Sequence, residues 1–109
     1  METAEQEKEH AKIFLKFLKS EYNEEEIEIK ASYPVALHEE TKNNLMKAAD
    51  GENAEWTKDY PQFAQIAKKE GFNKIAMAYE KIAKIEARHE RRYRRLLNPS
   101  FFAICANCG

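Results

Sequence analysis

Two Glu-x-x-His motifs, Glu7-Lys8-Glu9-His10 and Glu86-Ala87-Arg88-His89, fall on the apolar stripes of two amphipathic helical segments. Residues three or four apart share one face of a helix. The first stripe runs through Thr3, Glu7, His10, Phe14 and Phe17. The last runs through Tyr79, Ile82, Glu86, His89, Tyr93 and Leu96. In both, the Glu and the His hold positions where a bundle wants apolar side chains. A carboxylate taken out of water is costly unless it is paired or bound to a cation. Two such pairs aimed at one core ask for a metal.

The two segments also resemble each other. One offset relates Glu7 to Glu86, His10 to His89, Ala4 to Ala83, Phe14 to Tyr93 and Leu18 to Leu97. This reads as an internal repeat of one helical unit, and a repeated ligand pair implies a site of approximate two-fold symmetry.

The 109 residues make one modest domain, and only three Gly and three Pro stand among many Glu, Lys, Ala and Leu residues. An all-α chain follows. The formal net charge of −1 gives no pull toward nucleic acid or anionic lipid. No apolar run approaches the ~20 residues of a membrane span. The start, Met1-Glu2-Thr3-Ala4-Glu5, lacks the basic and apolar regions of a signal peptide, so the cytoplasm is the expected location.

The pattern predicts a helix over about 1–21 and a linker over 22–40 with a Tyr33-Pro34 break. A short extended segment is expected near Ile27 and Ile29. The next helix starts near Thr41, is kinked by Pro61 and stopped by Gly71. Asn73 is expected to cap a last helix that runs to about Leu97, and Asn98-Pro99-Ser100 ends it. The linker is too long for a tight helix hairpin and fits a crossover along a bundle. The middle helix adds Glu52-Asn53-Ala54-Glu55, so three helices offer Glu7, His10, Glu52, Glu55, Glu86 and His89 to one centre. Carboxylate and imidazole together suit iron or manganese, with zinc a further option.

Plainer readings apply elsewhere. His38 lies in the linker, off any ligand stripe, and reads as a surface residue. The cluster Arg88, Arg91, Arg92, Arg94 and Arg95 sits at a helix C-terminus, where cations complement the dipole. Trp56 and the phenylalanines read as core. Tyr60 fits ordinary packing and a contact to a ligand equally well.

At these residues the chain resembles the rubrerythrins, within the ferritin-like di-iron family. The matching stretches are Glu5-Gln6-Glu7-Lys8-Glu9-His10-Ala11-Lys12, Ala31-Ser32-Tyr33-Pro34, Gly51-Glu52-Asn53-Ala54-Glu55-Trp56-Thr57, Tyr60-Pro61-Gln62-Phe63-Ala64, Lys69-Glu70-Gly71-Phe72 and Ile85-Glu86-Ala87-Arg88-His89-Glu90-Arg91-Arg92-Tyr93. The resemblance implies a ferritin-like helical bundle, reduced here to three long helices with a long crossover linker. It makes Glu7, Glu52, Glu55 and Glu86 carboxylate ligands and His10 and His89 imidazole ligands of two iron ions. Tyr60 would stand beside them and hydrogen-bond a ligand carboxylate.

The family has four helices, and its first carries one more ligand Glu. By the resemblance Met1 falls inside the family's second helix, and the chain is expected to be an N-terminally truncated reading frame. The three remaining helices would leave an apolar groove uncovered, which predicts self-association, as a homodimer. The tail, Ile104-Cys105-Ala106-Asn107-Cys108-Gly109, is C-x-x-C-G without a surrounding β-α-β pattern, against a thioredoxin-type site. It resembles the first knuckle of a rubredoxin domain. A rubredoxin-type iron needs four thiolates, so Cys105 and Cys108 would serve only if the missing cysteines were supplied. A site shared between two chains and a pair of free thiols are the alternatives. The expected organisation is a partial ferritin-like di-iron domain over 1–98 and the start of a rubredoxin-like domain over 99–109.

The resemblance implies a non-haem di-iron peroxidase. It would reduce hydrogen peroxide with electrons from a rubredoxin-type iron, supplied by NAD(P)H through a separate reductase. The alternative is a non-catalytic helical fragment that binds metal weakly or needs another polypeptide to assemble. Ferritin-like iron storage fits the Glu52-x-x-Glu55 pair and the C-x-x-C-G tail less well.

Overall fold

The computed structural model describes residues 2–23, 25–35, 37 and 39–98. The tail with Cys105 and Cys108, and His38, lie outside the described residues. The chain divides into two units, Met1–Val35 and Ala36–Gly109.

The first unit holds α1 (Glu2–Tyr22). Good helix formers fill it, Glu2 and Glu5 stand in its first turn and Lys19 in its last, so charge complements the helix dipole at both ends. Asn23 ends it in the left-handed region, with φ 56°, a conformation asparagine tolerates better than most residues. Residues 25–35 form no regular structure. Ile27 and Ile29 are exposed, so the expected extended segment finds no strand partner among the described residues.

The second unit is an antiparallel helical hairpin. Its first arm joins α2 (Thr41–Ala54), a π-helical turn (Glu55–Asp59) and α3 (Tyr60–Lys69) without a break. The expected kink at Pro61 takes the form of this π turn. Pro61 has no N–H to give the carbonyl four residues back, and the widened turn just before it absorbs the mismatch. Tyr60 N–H bonds to the Glu55 carbonyl, the i to i+5 pattern of a π turn. The Thr57 hydroxyl donates to the Asn53 carbonyl at 2.6 Å.

Gly71 ends α3 at φ 86°. Phe72 N–H reaches the Ala67 carbonyl at 2.8 Å and Gly71 N–H reaches that of Lys68 at 3.1 Å, the paired bonds of a Schellman cap. The second arm, α4 (Asn73–Leu97), then runs back along the whole first arm. Asn73 is the first helical residue rather than the cap. Phe72 holds the cap position, and its carbonyl accepts from Ala76 N–H at 3.0 Å.

The core is made of small residues. Ala64, Ala67 and Ala76 form its cluster, with Ile75 and Tyr79 packed against it. Ala49, Ile82 and Ala83 are buried as well. The large side chains expected inside are elsewhere: Trp56, Phe63 and Phe72 are all exposed, and so is Leu96 at the end of the α4 stripe. Small side chains let helix axes approach closely, and bulky ones would hold them apart. Among the described residues no helix is long and apolar enough to cross a membrane.

Candidate metal centre

The site in the second unit starts from the α4 stripe. Ile82, Glu86 and His89 are buried along one face, and Glu86 and His89 are each 0 % exposed. They are the two largest side chains that are fully enclosed. His89 Nδ1 lies 2.7 Å from Glu86 Oε2 and 3.5 Å from Glu52 Oε1. Glu52 comes from α2, where it and Ala49 are the buried residues. One donor atom from each of Glu52, Glu86 and His89 lies within 4.8 Å of the others.

Two carboxylates so close, and so removed from water, repel one another unless positive charge, from a proton or a bound cation, joins them. A divalent cation could do this with the donors present. The set of two carboxylate oxygens and one imidazole nitrogen fits iron or manganese and also admits zinc. Nδ1 is the ring nitrogen that faces both carboxylates, so it is the atom that a metal ion there would meet.

The other expected residues are placed as follows. In α1, Glu7 and His10 stand one turn apart, with Glu7 Oε2 3.6 Å from His10 Nδ1. His10 is buried and Glu7 exposed. Glu55 opens the π turn, half-buried, and is not one of the residues gathered with Glu52, Glu86 and His89. Its N–H still bonds to the Gly51 carbonyl, so Glu55 stays in the α-helical frame of Glu52, and the widened turn begins only after it.

Tyr60 packs in an aromatic group. Its ring lies 5.6 Å from Tyr79 and 6.3 Å from Phe63, and Phe63 lies 5.5 Å from Tyr79. Burial pushes the Tyr79 phenol above its ordinary value.

A second polar group lies across the same two arms, and the stripe pattern does not reveal it. Glu90 accepts from Trp56 Nε1 at 2.6 Å, from Arg94 Nε at 2.7 Å, and from Asn53 Nδ2 at 3.1 and 3.3 Å. Arg94 reaches on to Asp50 at 3.2 Å. Burial alone would raise the Glu90 carboxyl, but the bonds from Trp56, Arg94 and Asn53 outweigh it and hold it below the usual range. The signal was present in part: Glu90 and Arg94 are an i, i+4 pair, and Asn53, Trp56 and Glu90 each follow an expected ligand in sequence.

A family model described as rubrerythrin matches residues 1–97. The chain is 55 % identical over 120 residues to a rubrerythrin of Porphyromonas gingivalis, covering 100 % of this chain and 58 % of that protein. It is 52 % identical over 121 residues to rubrerythrin-1 of Clostridium acetobutylicum, covering 100 % of this chain and 62 % of the relative. Against a rubrerythrin of Nitratidesulfovibrio vulgaris it is 44 % identical over 92 residues, covering 84 % of this chain and 46 % of that one. The chain therefore spans about half to three-fifths of the length of the relatives it matches. By this match the chain belongs to the rubrerythrin family.

Proposed function

We propose that the chain is a non-haem di-iron oxidoreductase of the rubrerythrin type, acting on hydrogen peroxide. The buried group of Glu52, Glu86 and His89 is the observation that carries this reading. In it these three residues hold one iron, and Glu7, His10 and Glu55 complete the ligand set for two. Bound ferrous iron would supply the electrons that reduce peroxide to water, replenished through a rubredoxin-type iron and, by a separate reductase, from NAD(P)H.

The chain's own residues do the rest. Glu86 and His89, fully enclosed, keep bulk water from the ligand atoms. Carboxylates can change between one-oxygen and two-oxygen ligation as metal charge changes, and imidazole suits the ferrous form. Tyr60 is proposed to donate its hydroxyl to a ligand carboxylate and so limit that movement. Cys105 and Cys108 would provide two of the four thiolates of the electron-donor iron. The proposed electron donor is a rubredoxin or its reductase, and the exposed Phe63, Ile66 and Met77 support self-association as a homodimer.

Metal content after anaerobic ferrous loading tests this, with Glu7→Ala and Glu86→Ala alongside. Two irons per chain, lost in both variants, are expected. Iron retained by Glu86→Ala would end the reading. A second reading is an assembly-dependent, non-catalytic metal-binding chain. Peroxide consumption by the isolated, iron-loaded chain would exclude it.

A further inference from the structure

The hairpin core is lined by alanine methyl groups, which fill space but interlock weakly. Ala49 and Ala83 flank the ligand turn in this way. Such a surface leaves the register between the two arms poorly specified, because small side chains give few ridges to fit into grooves. Yet a metal site needs that register fixed to within about half an ångström. Something other than the apolar core has to fix it.

Glu90 is placed to do so. It follows His89 on α4, and its side chain is only 13 % exposed. Its two oxygens take the indole N–H of Trp56 at 2.6 Å and the amide of Asn53 at 3.1 and 3.3 Å, all from the opposite arm. Arg94 Nε, one turn along, orients the carboxylate at 2.7 Å. Asn53 is the neighbour of Glu52, and Trp56 the neighbour of Glu55. Sequence neighbours on a helix move together, so pinning Asn53 and Trp56 to Glu90 also pins Glu52 against Glu86 and His89. Glu90 is half-buried between the arms, and polar groups set between packed helices are best attested in fixing register.

The internal repeat sharpens the point. The offset that relates Glu7 to Glu86 and His10 to His89 places Ala11 where α4 has Glu90. The two ligand pairs are alike, and their neighbours are not. We propose that Glu90 is a positioning residue, an acceptor hub that preorganises Glu52, Glu86 and His89 as the first and tighter of two metal subsites.

This inference rests on the metal-binding reading above, and one experiment separates them. The full chain is titrated anaerobically with Co2+, followed by its visible absorption bands, as wild type, Glu90→Gln, Trp56→Phe and Asp50→Asn. Helical circular dichroism is recorded at each end point. Glu90→Gln should weaken the first Co2+ by about 10-fold to 100-fold, the usual effect of removing a residue that orients ligands. Its first-step absorption bands should shift, while the second step and the helical signal stay unchanged. Trp56→Phe should move the first step in the same direction and Asp50→Asn should leave it alone. A first step unchanged in both Glu90→Gln and Trp56→Phe would overturn the proposal. So would equal weakening of both steps, which marks general loosening. If Glu90→Gln does not fold, Trp56→Phe decides. A wild type that takes up no Co2+ overturns the metal reading and this inference with it. A wild type that binds normally beside unaffected variants overturns this inference alone.

Discussion

Glu86 Oε2 and His89 Nδ1 lie 2.7 Å apart, one helical turn from each other on α4, and neither side chain touches solvent. A contact of this kind serves the metal-bound state better than the metal-free one. Near Glu52, Glu86 adds negative charge where little water can screen it. Glu86→Gln keeps the shape and removes that charge. It should leave the metal-free chain at least as stable as wild type and abolish the stabilisation by added metal. For wild type, metal at a hundred times its Kd should add about 2.7 kcal/mol. Thermal melts with and without Co2+ check both parts, and a metal-dependent rise in Glu86→Gln would contradict them.

The α3 cap gives a prediction free of the site. At Gly71 the backbone is left-handed, φ 86°, and no atom lies within 4 Å of where a Cβ would stand. Only backbone strain therefore opposes a side chain. Gly71→Ala should cost about 1–2 kcal/mol, and Gly71→Asn less, with metal affinity unchanged in both. Chemical denaturation measures the cost, and a neutral Gly71→Ala would mean the cap relaxes.

Trp56 and Asp50 mark the two ends of the Glu90 group, and their energies should differ. The Trp56 bond joins the two arms and ends on an anion at 2.6 Å. Trp56→Phe should cost about 1.5–3 kcal/mol, the range for hydrogen bonds to charged groups. The Asp50–Arg94 pair, at 3.2 Å, is exposed on both sides. Asp50→Asn should stay within about 0.5 kcal/mol, as exposed ion pairs do. Urea midpoints of the two variants would show the order reversed if the Trp56 bond does not form in solution.

The Tyr79 phenol, raised by burial from its ordinary 10.0, sets an alkaline limit. The folded chain holds this proton more tightly than the unfolded one. The contribution is whole below pH 10, and it is lost as pH rises through the folded value. Tyr79→Phe removes the titration, so its stability should fall less steeply than that of wild type above pH 10. Denaturation midpoints on either side of that pH test the slope, and parallel profiles would show that Tyr79 titrates alike in both states.

The stripe on α4 was legible because it is long, regular and ended by Asn98-Pro99. Its buried Ile82, Glu86 and His89 follow directly from i, i+3 and i, i+4 spacing. The start at Thr41 and the stop at Gly71 were legible for chemical reasons: few residues other than glycine accept the φ a Schellman cap needs. Pro61 announced an interruption without saying which kind. It is a π turn, and the residues after Glu55 leave the period that Glu52 sets, among them Trp56, which is exposed. The bond from Trp56 to Glu90 spans two helices, and pairings between distant segments leave no periodic trace along either. The aromatic residues pointed to a bulky core, but the hairpin is closed by alanines.

That choice of side chain has a consequence for the life of the protein. Burying a methyl group contributes far less than burying a Leu or Phe side chain, at about 25 cal/mol per Å² of apolar surface. A hairpin closed over Ala64, Ala67 and Ala76 therefore has a thin reserve against opening. Glu52, Glu86 and His89 sit where a bound ion would fasten the two arms. Depleted of its metal, the chain should open more often and be degraded sooner, so its cellular abundance would follow the iron supply before any change in its synthesis. A pulse-chase half-life that does not shorten under an iron chelator would refute this coupling.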